Sequence, residues 1–297
     1  MELRHLQAFV VLAEELHFGR AARRLHLVQS AVTRAIQALE ADVGVTLFER
    51  GRRGVRLTAA GKAFEGRARD VLAAVEASAV EARRAAQGEM GRLRVVWSEV
   101  AAVSALTDAF RRFRQRYPAV EVSAGLLGTR DHAEALHGDR CDLAFSSAPL
   151  LDDGLEAEPV IDDELWAIVQ AQHPFAKRRS ISLQDLNQDT NILLPRWAEP
   201  VLHARIERSQ AALGLTPPPL LESHDFTATL ALVAAGFGVA QAPGAARRFS
   251  YEGVVFVVVR PRVPIHLFAV RARQRRAPTA ERFLDLLRAA TTRPKKR

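Results

Sequence analysis

FGRAARRLHLVQSAVTRAIQALE, from Phe18 to Glu40, is basic, rich in alanine and apolar at helical spacing. It reads as one ordinary amphipathic helix, or as two helices of which one is aimed at a partner. His26-Leu27-Val28 favours the second reading by interrupting the pattern. A short helix over about Gly19–Leu25 then precedes a longer one over about Ser30–Val43, closed by Gly44. On a wheel at about 100° per residue, Val32, Ile36, Leu39 and Val43 fall within about 60° of one another, a narrow apolar stripe. Thr33, Gln37, Ser30 and Arg34 lie together on the opposite side. Their types are informative. Arginine pairs with guanine O6/N7, glutamine with adenine N6/N7, and Ser or Thr reaches bases or phosphates. A merely solvated face more typically carries Lys and Glu at i,i+4 spacing, whereas positions 29 to 37 hold no acid. Ala21, Ala22 and Leu25 give the short helix the small side chains that a close helix crossing needs.

The flanks extend this unit. Leu3, Leu6, Phe9, Val10, Ala13 and Leu16 recur at helical spacing over 3–16. VTLFERGRRGVRLT reads as two short strands around Gly51-Arg52-Arg53-Gly54, a hairpin presenting Arg50, Arg52 and Arg53 to a DNA backbone or minor groove. From Thr58, a candidate N-cap, to about Gln87 the chain reads as one long helix. Phe64, Ala68, Val71, Val75, Ser78 and Ala82 stand at or near heptad spacing there, which suits pairing with another helix. Gly88 and Gly91 bracket a hinge.

Beyond residue 92 the pattern becomes α/β. LRVVWS, VEVSAGLL and CDLAFSS read as strands, with helices over VSALTDAFRRFRQRYP and TRDHAEALHGDR between them. A second set comprises ELWAIVQ, NILLP, a helix over Val201–Leu213, PPPLLES, a helix over Phe226–Ala235, and VAQAP. VVFVVV, IHLFAV and a helix over Thr279–Ala290 close the chain. This predicts a parallel-sheet rhythm and two lobes with a cleft between them.

The chain has 297 residues, 48% apolar and 26% charged, an ordinary globular composition of about two domains. Its single cysteine, Cys141, excludes an intramolecular disulfide and any multi-cysteine metal site. No apolar run is long enough for a membrane span, and the acidic N-terminus lacks the pattern of a signal peptide, so a cytoplasmic protein is expected. The net charge of +8 is uneven: residues 260–297 carry twelve Lys/Arg against two Asp/Glu, while residues 91–259 carry sixteen against twenty-one. The basic end reads as a solvated tail, with nucleic-acid contact open, so the overall charge does not identify a DNA binder.

Phe18, Ala21-Ala22, Leu25, Gln29-Ser30, Val32-Thr33, Ile36, Leu39-Glu40, Gly44, Leu47-Phe48, Arg50, Leu57-Thr58 and Gly61 together resemble the N-terminal signature of LysR-type transcriptional regulators. The match is dense over about residues 1–65, and the rest of the chain agrees in layout. The resemblance implies a mixed fold: an N-terminal, mainly helical winged helix-turn-helix (1–58), a linker helix and hinge that dimerise (59–91), and an effector domain resembling periplasmic binding proteins (92–297). Lobe I would cover about 92–163 and 266–297, and lobe II about 164–265. The resemblance also implies double-stranded DNA as partner, usually a homotetramer, RNA polymerase contact in an activator, and no cofactor or metal. It carries DNA contact onto Gln29, Ser30, Thr33, Arg34 and the wing residue Arg53. Many relatives have proline where Ser30 stands. Gln37, Arg50 and Arg52 come from the wheel and charge arguments.

Domains of this kind bind ligands between lobes, near strand ends and helix N-termini, where free N–H groups favour anions. Ser98-Glu99-Val100, Gly128-Thr129 and Pro195-Arg196-Trp197 are the candidate segments. In layout they resemble the branch of the family that senses aromatic acids and their ring-cleavage products, which implies a small organic or aromatic carboxylate held at the first two segments. Ser98 and Thr129 serve equally well as helix caps. Trp197 and Phe226 suit an aromatic wall or a core. Glu99 departs from the expectation, because an acid repels a carboxylate unless it is paired or protonated. Either Glu99 points away or is paired, for instance with Arg196, or the effector carries a donor-rich or cationic group.

Three rival classes have less support. An enzyme would want HExxH, G-x-S-x-G or a P-loop, none of which occurs, and the nine histidines lack metal-ligand spacing. A solute-binding protein would carry a signal peptide rather than residues 1–90. A DNA-bending regulator that ignores small molecules differs from a sensor only in its response to ligand.

Overall fold

The computed structural model describes residues 1–51, 54–103, 106–150, 152–216 and 218–291. It divides into two compact units, Met1–Arg84 and Ala85–Arg297. In the first unit α1 (Leu3–Glu15), α2 (Phe18–Arg24) and α3 (Gln29–Val43) pack around Phe9, whose ring meets those of Phe48 and Phe64 at 5.2 and 5.1 Å. The imidazole of His17 accepts the Gly19 and Arg20 N–H groups and so starts α2. Gly44 ends α3 in the left-handed region at φ 80°, a backbone that glycine adopts without Cβ strain. The hairpin is present as antiparallel β1 (Phe48–Gly51) and β2 (Gly54–Leu57), in register from Phe48↔Leu57 to Gly51↔Gly54. Arg52 and Arg53 lie outside the described residues.

Thr58 caps the long helix α4 (Ala59–Ala86), its Oγ1 accepting the Gly61 N–H at 2.9 Å. A Cβ on Gly61 would stand 2.2 Å from the Leu47 carbonyl oxygen, so only glycine lets the first turn of α4 sit so close to that backbone. Of α4, Gly61 and Ala68 alone are buried, and Val71 and Val75 on its heptad stripe are 43% and 44% exposed.

The second unit is built on one ten-stranded sheet. Its strands are β3 (Met90–Trp97), β4 (Ala119–Leu126), β5 (Leu143–Ser146), β6 (Leu155–Gln170), β7 (Ser180–Ser182), β8 (Asn191–Leu193), β9 (Leu220–Glu222), β10 (Val239–Pro243), β11 (Val254–Arg260) and β12 (Pro264–Ala272). The main path runs β4-β3-β5-β12-β6-β10-β8-β9, with β11 joining β6 to β7. The helices are α5 (Glu99–Ala102), α6 (Leu106–Arg116), α7 (His132–His137), α8 (Leu183–Leu186), α9 (Pro200–Ala211), α10 (Phe226–Ala234) and α11 (Pro278–Thr291). One core, including Leu93, Phe113, Phe145 and Phe283, lies under the β3 end; another, including Leu165, Val169, Ile206 and Val257, lies under the β10–β11 end.

The sheet is mixed rather than parallel throughout. β3 pairs parallel with β4 and β5, while β12 runs antiparallel to β5 and β6. The sixteen-residue β6 is the spine, pairing with β12 through Leu155–Glu164 and with β10 and β11 through Leu165–Gln170. It begins well before the predicted ELWAIVQ, because the acidic residues that hide its start are paired. Arg271 bonds Glu156, Arg288 bonds Glu158, and His266 bonds Asp162. The helix predicted over TRDHAEALHGDR is a 3-10 turn, Thr129–Asp131, followed by α7. Helix α6 is described over Leu106–Arg116; residues 104 and 105 of its predicted start lie outside the described residues.

Candidate functional site

The first candidate surface is the outer face of α3. Val32, Ile36 and Leu39 are 0–1% exposed and hold the helix against α1 and α2. Gln29, Ser30, Arg34 and Gln37 are exposed and Thr33 is partly so. The first turn carries no acid, and Val28 provides no side-chain cap, so the leading N–H groups stay open. Positive potential and free donors therefore coincide at the start of the helix. Arg50 is exposed on β1 opposite Val55, its guanidinium 4.4 Å above the Phe18 ring. That contact fixes its position beside α2.

The second candidate is the cleft in the sheet-based unit. Ser98 caps α5, its Oγ accepting the Ala101 N–H at 3.4 Å. Its other neighbour is Glu199, at the start of α9 and 1% exposed. The Glu199 carboxylate accepts the Val100 N–H at 3.1 Å and the Ser147 hydroxyl at 3.0 Å, as well as a bond from Ser98. Residues on the β3–β5 side thus donate to one acid from the β8 side. Burial pushes the Glu199 carboxyl above the usual carboxylate range, against the opposing pull of those donors.

Glu99 makes the reciprocal crossing. Its carboxylate accepts the backbone N–H of Phe226 at the start of α10. Burial raises its pKa, and the nearby acids Asp225 and Glu199 add to the rise. Arg196 is not its partner; that arginine is exposed and ion-paired with Glu207 on α9. Glu99 lines a small apolar pocket of about 20 Å3, room for about one water, walled by Val100, Val103, Ile192, Leu202 and Phe226, with Gln241 and Thr229 also lining it.

The other predicted positions are distributed differently. Gly128, not Thr129, is the cap of the 3-10 turn, and the buried Thr129 hydroxyl has no partner. A Cβ on Gly128 would stand 3.8 Å from Cζ3 of Trp197, so these two segments oppose one another. Trp197 is 55% exposed, whereas Phe226 lines the pocket and packs edge-on against Phe249. The two rings therefore belong to different walls. Pro195 is buried beneath the turn leading to Glu199, whose N–H it accepts at 3.1 Å.

Glu199 and Gln241 were missed by sequence reasoning. An acid before Pro200 looks like a solvated helix start, and its partner Val100 is 99 positions away. Gln241 did leave a trace, as the single polar residue in the apolar VAQAP. Among the described residues no cluster suited to a metal ion occurs, and no helix is long and apolar enough to cross a membrane.

Comparison with known proteins assigns both parts of the chain to one family. Residues 3–62 match the family described as bacterial regulatory helix-turn-helix protein, lysR family, and residues 86–292 match the LysR substrate binding domain. The HTH-type transcriptional regulator AlsR of Bacillus subtilis is 33% identical over 248 residues, covering 84% of this chain and 82% of AlsR. ClcR of Pseudomonas putida is 32% identical over 288 residues, 97% of this chain and 98% of its own. Among solved structures, CbnR, a LysR family transcriptional regulator, superposes with a TM-score of 0.88 at 30% identity, covering 97% of this chain and all of its own. Full-length CbnR complexed with its target DNA gives 0.84 at 29% identity, over 98% of this chain and all of its own. The chain is a LysR-type transcriptional regulator, a DNA-binding protein with an N-terminal helix-turn-helix domain followed by a LysR substrate-binding domain.

Proposed function

We propose that α3 enters the major groove and reads bases with Gln29, Ser30, Thr33, Arg34 and Gln37. The carrying observation is an acid-free polar face held outward by three fully buried anchors, Val32, Ile36 and Leu39. Arg50, together with Arg52 and Arg53, contacts the adjacent backbone or minor groove. The exposed stripe of α4 pairs with a second copy, and two dimers form a tetramer on spaced half-sites. Residues 92–297 bind a small-molecule effector between lobe I (92–163 and 266–297) and lobe II (164–265). Effector-dependent closure shifts subunit packing and the bend of the DNA, and in an activator changes contact with RNA polymerase.

Arg34→Ala tests the reading face. On a site selected from random duplexes it should cost about 1–3 kcal/mol and relax preference at one base position. Fluorescence anisotropy on the selected site and on single-base variants measures this. An equal loss on every sequence would reduce Arg34 to a phosphate clamp.

A further inference from the structure

The turn that leads into α3 carries an apolar tip on a polar, positively charged surface. From Leu16 to Leu39 the chain holds four arginines and no acid. Arg20 and Arg24 pair with Glu14 and Glu15, while Arg23 and Arg34 are exposed. Amid these residues Val28 is 67% exposed and Leu27 50%. Val28 is the N-cap residue of α3, with an extended backbone at φ −80° and ψ 150°, and its side chain bonds none of the leading N–H groups. Serine, threonine, aspartate or asparagine at that position would accept one of them and stabilise the helix. The sequence thus gives up a cap and places an isopropyl group in water instead, two local costs that nothing within the winged unit offsets.

The backbone beneath Val28 is fixed on both sides. Before it, the His26 N–H donates to the Arg23 carbonyl at 3.1 Å and the Leu27 N–H to the Ala22 carbonyl at 2.8 Å. After it, the Ala31 N–H donates to the carbonyl of Val28 itself at 3.0 Å. The side chain is β-branched and stiff at χ1, so covering it costs little rotamer entropy. An apolar group is therefore held in a constant place directly before Gln29, at the leading end of the exposed face of α3.

We propose that Val28 selects thymine, its isopropyl group packing on the C5-methyl in the major groove beside the base that Gln29 reaches. The proposal rests on the reading of α3 as the base-reading helix and adds an apolar contact to its polar ones. Thymine carries a methyl group on its major-groove edge, where guanine, adenine and cytosine present donors or acceptors. A valine laid over those groups takes them from water without replacing the lost bonds. The same side chain thus attracts thymine and disfavours the other bases. The acid-free surface with its exposed arginines suits the phosphates on either side of the groove. Leu27 stands one residue further from Gln29, its N–H turned back to α2, and serves as an internal control.

Removing one methyl group from the DNA tests this with the full-length chain. A duplex is selected from a random pool, and each of its thymines is replaced in turn by deoxyuridine, which lacks only the C5-methyl. Fluorescence anisotropy at one fixed salt concentration reads the affinities. At one thymine of each half-site the replacement should weaken wild-type binding about three- to tenfold, the worth of one buried methyl contact. Val28→Ala should bind the thymine and deoxyuridine duplexes equally. Val28→Ser should do the same while unfolding at a higher temperature than wild type, because it restores the cap, so the lost discrimination is not a loss of folding. Leu27→Ala should keep the discrimination. No thymine whose methyl matters to wild type, discrimination that survives in Val28→Ala, or discrimination lost in Leu27→Ala would overturn the proposal. A wild-type chain that binds the selected duplex without regard to any methyl loses only the assignment of Val28. One whose affinity does not depend on base sequence at all loses the reading of α3 as well.

Discussion

At the residue scale, Glu199 carries the largest consequence. It is a buried acid whose partners all come from the other side of the cleft, so it acts as a pin between the two ends of the sheet. Replacing it with leucine leaves the Val100 N–H and the Ser147 hydroxyl buried without an acceptor. Glu199→Leu should cost about 1–3 kcal/mol of stability in chemical denaturation. Glu199→Gln keeps an acceptor, lets a serine hydroxyl turn to receive the amide, and should be nearly neutral. The pH dependence has a definite sign. The carboxyl of the folded chain titrates above its ordinary value, so the native state holds the proton more tightly than the unfolded one. Its stabilising contribution is present below the usual carboxylate pKa and is lost as pH rises through the raised one. Wild-type stability relative to Glu199→Gln should therefore fall across that window. A difference that stays flat, or rises with pH, would show that the carboxylate is the preferred form.

At the scale of elements, α4 is a helix almost without a core of its own. Phe64 and Ala68 tie its first turns to the winged unit, and beyond them Val71 and Val75 continue the same stripe in the open. Exposed valines at heptad spacing are what a coiled-coil partner covers. Val71→Asp with Val75→Asp should shift the chain from dimer toward monomer in sedimentation equilibrium while leaving the helical content of the winged unit intact. An unchanged mass would place the dimer contact elsewhere. Gly61→Ala acts at the other end of the helix. The added methyl meets the Leu47 carbonyl oxygen, and the backbone must move to admit it, at about 1–3 kcal/mol.

For the whole molecule, charge is arranged by folding rather than by segment. Five of the eight arginines of 260–288 reach back to acids on β6: Arg260 and Arg262 to Glu164, Arg271 and Arg276 to Glu156, Arg288 to Glu158. What reads as a basic end therefore neutralises an acidic strand about a hundred residues earlier. Arg271 is the buried member, its side chain 8% exposed and bonded to both Glu156 and Glu281. Arg271→Met should cost about 1–3 kcal/mol, because it takes the bonded cation from Glu281 and leaves Glu156 only Arg276. Denaturation should show that loss at neutral pH and much of it recovered once the acids are protonated. The exposed pairs with Arg262 and Arg276 should contribute well under 1 kcal/mol each.

Local properties were legible in the chain. Periodicity over 30–43 and the break at His26–Val28 established two helices, and side-chain types alone showed which face of the second was free. VAQAP and Phe226–Ala234 were readable because apolar runs with clear ends keep their identity in any context. The first half of β6 was not, since an acidic strand reads as loop until the arginines that pair with it are in place. Cleft chemistry was hidden for the same reason. The sequence by itself determined the helix-turn-helix, the linker and the α/β rhythm, all products of spacing along one segment. Only the tertiary structure decided that Glu199 takes the Val100 N–H and the Ser147 hydroxyl, that Gln241 Oε1 is buried without a partner and that Arg196 is engaged elsewhere. Those outcomes depend on which distant groups compete for the same hydrogen bonds, and no local pattern records that competition.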